Sequence, residues 1–144
     1  MSTEAVKAVR HQPVLKKFRT LLIITAVLDG LYAVNLLFMP AVFLEMHGLN
    51  VSETALFATR LLAPAVLSDC LLALFVLNSQ SWEAMRAVAF KFCVSWGIGG
   101  LVILIGKLTV ASMSAAAWVD AGFALIFTVA YGYYLFTRFD AASF

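Results

Sequence analysis

The chain reads TLLIITAVLDGLYAVNLLFM from Thr20 to Met39, and Asp29 is the one charged residue in this stretch. A helix needs about 20 predominantly apolar residues to cross the hydrocarbon core of a bilayer. The apolar run is continuous, whereas the strands of a membrane barrel alternate apolar and polar residues over about 10 positions. Pro40 follows, and proline cannot donate its amide or extend a helix comfortably. The stretch therefore predicts a transmembrane helix that ends before Pro40.

Three further apolar stretches follow in the chain, separated by short connections. Connections of this length leave no room for soluble subdomains, so consecutive spans are expected to be antiparallel. The sequence predicts an all-α four-helix transmembrane bundle over residues 20–138, preceded by a basic segment at 1–19 and followed by a tail at 139–144. The four predicted membrane-embedded spans are about 20–39, 61–77, 87–106 and 115–136.

Several residues mark where helices begin and end. Ser52, followed by an acidic residue, is typical of a helix start, so the second long helix is predicted to begin there, ahead of its apolar part. The third is predicted to begin near Trp82. A short amphipathic piece between Pro40 and the second long helix is predicted to close at Gly48. Pro64 lies one turn inside the second span, where it removes a backbone hydrogen bond and predicts a kink.

The composition points to a lipid environment. The chain has 144 residues, of which 63% are hydrophobic and 12% are charged, and its mean hydropathy is +0.96. A soluble domain carries about a quarter charged residues, so this chain has too few to cover a soluble surface. The lipid bilayer is therefore the expected surrounding. A net charge of +2 without a broad basic stripe gives no reason to expect a nucleic-acid partner.

The distribution of lysine and arginine predicts the orientation. Basic residues near span ends favour the cytoplasmic or matrix side, and they are more frequent on the side of the N-terminus. Both termini are therefore expected inside, in a bacterial cytoplasmic membrane or an organellar inner membrane, which obey the same bias. The inner side would hold Lys7, Arg10, Lys16, Lys17, Arg19, Arg86 and Arg138, and the outer side Arg60 and Lys107.

Each predicted span contains one ionisable residue: Asp29, Asp69, Lys91 and Asp120 in chain order. An Asp near the centre of a span costs about 2.5–3.5 kcal/mol on insertion. The surrounding apolar residues outweigh that cost, but the charges should not face lipid. At a rise of about 1.5 Å per residue, Asp29 and Asp69 are expected near the midplane. Arg60, at the outer end of the second span, is the fifth candidate in this set of intramembrane charges.

Two interpretations of these charges stay open. In the structural one they satisfy each other: Asp29 would pair with Lys91, Asp120 with Arg60, and Asp69 with tyrosine or serine hydroxyls. In the functional one, Asp29 and Asp69 line a polar cavity and move protons or bind a cationic group. Intramembrane acids are functional candidates by default, so the sequence supports both interpretations.

Small residues predict close helix contacts. In membranes they allow two backbones to approach each other. An aromatic stripe on the fourth span is also expected to pack inside the bundle. The predicted contact residues are Ala26, Gly30, Ser95, Gly97 and Gly99, and the stripe is Phe123, Phe127, Tyr131 and Tyr134.

The sequence contains no recognisable catalytic motif. His11 and His47 have no second ligand at metal spacing, and Cys70 and Cys93 are too far apart for a CxxC pair. No metal site is therefore expected. The chain is not expected to be an enzyme, and no cofactor is indicated.

A partial resemblance covers about residues 20–78. The segments FMPAVF at 38–43, Gly48-Leu49, Ser52 and FATRL at 57–61 resemble the first half of small bacterial four-helix membrane families of unknown function, near the DoxX-like group. The resemblance implies a four-helix bundle and an association with redox or respiratory systems. Arg60 would be the most distinctive position of this resemblance. The resemblance implies no catalytic residues.

Three functional hypotheses follow. The first is a non-catalytic integral membrane subunit that packs in, or helps to assemble, a larger membrane complex of a respiratory or other energy-transducing kind. Its partners would be other membrane subunits or a second copy of the chain. Short loops and small-residue helix faces favour it. The second is a small transporter or ligand-binding bundle that uses Asp29, Asp69 and Asp120. The third is a membrane-embedded redox enzyme.

Overall fold

The computed structural model describes the backbone of residues 3–79 and 81–136 and, within them, the side chains of 16–79, 81 and 83–136. This part of the chain is all-α, as predicted, and four of its helices are long and apolar enough to cross a membrane. The fifth is the short helix that begins at Pro40. The helices are α1 (Thr3–Phe38), α2 (Pro40–Met46), α3 (Glu53–Leu77), α4 (Trp82–Thr109) and α5 (Ala116–Phe136).

The predicted helix starts are confirmed. Ser52 is the N-cap of α3, and its hydroxyl accepts a hydrogen bond of 3.2 Å from the Ala55 amide. Ser81 caps α4 in the same way and places its first residue at Trp82. The helices extend beyond the predicted spans because hydropathy marks only the lipid-embedded part of a helix. α3 also continues through Pro64. The predicted tail at 139–144 lies outside the described residues.

The long helices pack as two close pairs, α1 with α3 and α4 with α5. Side chains join the pairs around one group of buried residues, here called the core cluster. It fills the region where the middle of α1 meets the second half of α3, the first half of α4 and the second half of α5. The core cluster comprises Phe18, Leu22, Ala26, Cys70, Ala73, Val76, Met85, Val88, Ala89, Phe92, Phe127, Tyr131 and Tyr134.

A buried polar contact ties α1 to α5 at the core cluster. Thr25 and Tyr131, both fully buried, share a hydrogen bond of 2.6 Å between their hydroxyl groups. Phe18 packs edge-on against the Tyr131 and Tyr134 rings. In an apolar interior an unpaired hydroxyl is costly, so the Thr25 contact fixes the position of α5 against α1.

Small residues make some of the expected helix contacts. A Cβ at Gly30 would lie 3.4 Å from the Cys70 sulfur, and one at Gly97 would lie 3.5 Å from the Thr128 methyl group. The closest approach is at Gly100, where a Cβ would lie 2.8 Å from the Ala124 Cβ. Around Gly99, by contrast, a Cβ would meet no described atom within 4 Å.

Hydrogen bonds join the loop after α2 to the loop between α4 and α5. Gly48 ends α2 with a φ of 69°, and the amides of Gly48 and Leu49 bond back to the carbonyls of Glu45 and Leu44. This is a Schellman motif. A Cβ on Gly48 would lie 2.1 Å from the Ser112 carbonyl oxygen. The Ser114 amide donates to the His47 carbonyl at 2.9 Å, so the α4–α5 loop is held against the end of α2.

Candidate functional site

A cavity of about 350 Å³ lies among the four long helices, next to the core cluster, with which it shares Phe127. The core half is filled by large rings such as Phe92 and Tyr131. Beside the cavity, α4 presents Ser95, which has a small side chain, and Gly99, which has none, and this leaves space. The structure places these two predicted contact residues in the cavity wall, where a Cβ at Gly99 would meet no described atom within 4 Å. The wall also contains Asp29, Asp69 and Asp120.

Asp29 is the most enclosed of the three carboxylates. It lies on the buried stripe of α1 with Leu22, Ala26, Ala33 and Leu36, which recur at helical spacing. Its exposed fraction is 5%, and no described residue donates a hydrogen bond to it. It interacts electrostatically with both Asp69 and Lys91. Asp29 is therefore a buried carboxylate at the cavity without a hydrogen-bonding partner in the described structure.

Asp69 forms an ion pair with Lys91, which joins α3 to α4. Their side chains are 26% and 35% exposed. The Lys91 ammonium also lies 4.7 Å from the centre of the Phe92 ring, within the range of a cation–π contact. The prediction that Lys91 pairs with Asp29 is therefore wrong in its partner. The two acids lie on the neighbouring helices α1 and α3, and Lys91 on α4 interacts with both, so spacing along the chain could not decide which acid it contacts.

Asp120 pairs with His47, a residue to which the sequence assigned no role. The His47 Nε2 atom lies 2.6 Å from an Asp120 carboxylate oxygen, and Nδ1 lies 2.8 Å from the Phe43 carbonyl oxygen. Tyr32 also interacts with this carboxylate through its hydroxyl. The predicted pairing of Asp120 with Arg60 is wrong, because Arg60 lies on an exposed face of α3 and contacts no described acid.

The geometry of His47 fixes the net charge of this pair. Both ring nitrogens face oxygen atoms, and the Phe43 carbonyl can only accept, so Nδ1 carries a proton. The proton between Nε2 and Asp120 belongs either to an imidazolium beside a carboxylate or to a carboxylic acid beside a neutral imidazole. The net charge is zero in both cases.

Aromatic rings form much of the remaining wall. Trp96 stacks on Phe127 with ring centres 4.8 Å apart, and Tyr32 meets Phe43 edge-on at 5.2 Å. The expectation that the α5 stripe packs internally is confirmed for Phe127, Tyr131 and Tyr134, which are buried. Phe123 is 47% exposed and lines the cavity. The wall therefore combines flat apolar surfaces with the three carboxylates.

The described side chains limit the chemistry available here. No group of three His, Cys, Asp or Glu residues lies together among them in a way that could hold a metal ion. Cys70 and Cys93 are free thiols, and Cys93 donates to the Thr128 carbonyl at 3.5 Å. The arrangement suits recognition of a small molecule by charge and aromatic contact.

Sequence reasoning missed His47 because its partner is 73 positions away. The nearest signal was the glycine after it: Gly48 closes α2 and allows the α4–α5 loop to approach.

Comparisons of the chain with models of protein families, with curated proteins and with solved structures gave no match.

Proposed function

We propose that this chain is an integral membrane protein whose helices form a four-helix bundle and bind a small molecule in the cavity at Asp29. The bundle would have both termini on the inner side of a bacterial cytoplasmic or organellar inner membrane, following the bias of its basic residues. The observation that carries the proposal is a carboxylate that is 95% buried, lines a 350 Å³ cavity and has no described hydrogen-bond donor.

The cost of that carboxylate is the physical reason. Burying a polar group without a hydrogen bond costs roughly 2–7 kcal/mol, and an unpaired buried charge either costs more or is neutralised by a proton. An aspartate kept for stability alone should have a partner, as Asp69 and Asp120 do. Clefts of about 300–1,000 Å³, largely apolar with a few polar groups, are the usual form of small-molecule sites. A ligand would supply the missing partner of Asp29.

The other hypotheses are supported less by this geometry. The subunit hypothesis stays a prediction. It assumed that the intramembrane charges pair with each other. Asp69 and Asp120 are paired in this way, whereas Asp29 is not. The association with respiratory systems implied by the DoxX-like resemblance also stays a prediction, and a ligand-binding bundle could belong to such a system. A transporter would use the same site.

The test is a thermal-melting screen of the full chain in mild detergent. The panel contains size-matched amines, carboxylic acids and neutral alcohols with an aromatic or aliphatic body. The screen compares wild type with Gly99→Phe, which fills the cavity, and with the matched control Gly122→Phe. Gly122 also has no described atom within 4 Å of a Cβ, but it does not line the cavity.

We expect at least one class to raise the melting temperature of wild type and Gly122→Phe but not of Gly99→Phe. If no member stabilises wild type at millimolar concentration, or if Gly99→Phe is stabilised equally, the cavity is not a binding site and the proposal is wrong.

A further inference from the structure

We infer that the ligand is a small organic monocation, an amine whose ammonium group pairs with Asp29 and whose apolar body lies against Trp96 and Phe123. This inference rests on the proposed function and names the chemical class of its ligand. It depends on the charge balance of the cavity, on the nature of its walls and on its size.

The pairing of charges leaves one acidic group, Asp29, without a basic side chain in contact with it. Lys91 neutralises Asp69 through their ion pair. The pair of His47 and Asp120 is neutral wherever its proton resides, because both ring nitrogens face oxygen atoms. Asp29 is the one carboxylate of the cavity wall without a charged partner in contact among the described residues. A ligand with a single positive charge would pair with the ionised form of Asp29 and balance its charge, whereas an anion would be repelled by that form.

The walls favour an organic cation over a metal ion. Calcium takes six to eight oxygen ligands, and magnesium needs near-octahedral oxygen coordination. Of the three carboxylates in the wall, Asp69 and Asp120 already face Lys91 and His47. Most of the remaining wall is aliphatic or aromatic, including Leu28, Trp96 and Phe127. The face of an aromatic ring attracts an ammonium group within about 6 Å. Trp96 and Phe123 therefore suit both the charged end and the apolar body of an amine.

The dimensions limit the ligand to a small molecule. At about 350 Å³ the cavity is at the lower end of the usual range for ligand sites. One aromatic ring with a short alkylamine chain is of a suitable size. A polyamine with several separated charges does not suit it, because only Asp29 lacks a compensating charge.

The test measures binding of phenethylamine to the full chain in mild detergent by isothermal titration calorimetry. A neutral analogue, 2-phenylethanol, and an anionic analogue, 3-phenylpropanoate, both of similar size, serve as comparisons. The variant Asp29→Asn keeps the shape of the side chain and removes its charge. Glu53→Gln is the matched control, because Glu53 is an exposed carboxylate at the start of α3, outside the cavity wall.

We expect phenethylamine to bind wild type and Glu53→Gln alike and Asp29→Asn about tenfold to a hundredfold more weakly, as for loss of a hydrogen bond to a charged group. The variant Phe123→Leu should weaken binding several-fold, so the inference stays testable if Asp29→Asn does not fold. Equal affinity of wild type and Asp29→Asn for phenethylamine would overturn the inference.

The two proposals fail in different ways. If 2-phenylethanol or 3-phenylpropanoate binds wild type as tightly as the amine does, and Gly99→Phe abolishes that binding, the cavity is a ligand site but the assigned class is wrong. If none of the three probes binds wild type, the inference is wrong. The broader panel then decides whether the cavity binds any small molecule.

Discussion

At the scale of single residues, three aspartates in similar apolar helices have three different surroundings. Asp69 faces Lys91, Asp120 faces His47, and Asp29 has no hydrogen-bonding partner among the described residues. A paired buried charge becomes costly when its partner is removed, whereas an unpaired one is costly as it stands. The same substitution should therefore have opposite effects at different sites.

This difference predicts the stability of two matched variants. Asp69→Asn leaves the Lys91 ammonium without its carboxylate and should lower the free energy of unfolding by about 1–3 kcal/mol. Asp29→Asn removes a buried carboxylate without a partner and should leave stability unchanged or raise it. Thermal or denaturant melting in the same detergent checks both variants. Equal losses would show that Asp29 has a stabilising partner.

The pairing of His47 with Asp120 predicts an energetic coupling between α2 and α5. A double-mutant cycle of His47→Ala and Asp120→Ala should give an interaction energy of about 0.5–3 kcal/mol. The control is the cycle of His47→Ala with Asp69→Ala, which have no contact in the described structure and should be additive. A coupling near zero for the first cycle would contradict the observed contact.

The sequence indicated which residues belong to the site but not how they are paired. Hydropathy made Asp29, Asp69 and Asp120 conspicuous, because each is an acid inside an apolar run. Their partners depend on which helix faces which, and that is a property of the folded chain. His47 had no local signal at all. Its role follows from the approach of α2 to α5.

At the scale of the helices, the distance at which two neighbouring helices pack depends on single residues. Gly100 lies so near Ala124 that an added Cβ would be 2.8 Å from the Ala124 Cβ. Gly99, one position earlier, faces open space. The pattern of small residues was visible in the sequence, but which of them touch a neighbour depends on helix rotation and could not be predicted from spacing.

This contrast predicts the effect of one methyl group at adjacent positions. Gly100→Ala should push α4 away from α5 and lower the free energy of unfolding by about 1–3 kcal/mol, as overpacking does. Gly99→Ala should be neutral or slightly stabilising, because alanine favours a helix over glycine. Melting of both variants in one detergent measures the difference. Similar values for the two would mean that α4 is rotated differently.

At the scale of the whole molecule, the protein has a filled half and an open half. Four long apolar helices were predictable, because continuous hydropathy over about 20 residues is a local property. The open half was not predictable. It arises where Ser95 and Gly99 on α4 lie opposite Asp29 on α1, and that juxtaposition exists only after folding.

The predicted orientation can be tested on the intact chain. In a variant with Cys70→Ala and Cys93→Ala, single cysteines are placed at Asn78 and at Ala111, which lie in the exposed connections after α3 and α4. A membrane-impermeant thiol reagent added to intact cells from outside should label the cysteine at position 111 and not that at 78. The reverse pattern would invert the topology.

Binding of a small molecule in the cavity at Asp29 can be observed directly. The most direct test is a crystal structure of the full chain with the best-stabilising panel compound in a brominated form, located by anomalous scattering of bromine. We expect a bromine peak inside the cavity, beside Trp96 or Phe123, that is absent in Gly99→Phe. Peaks confined to the lipid-facing surface, with the cavity free of ligand, would contradict it.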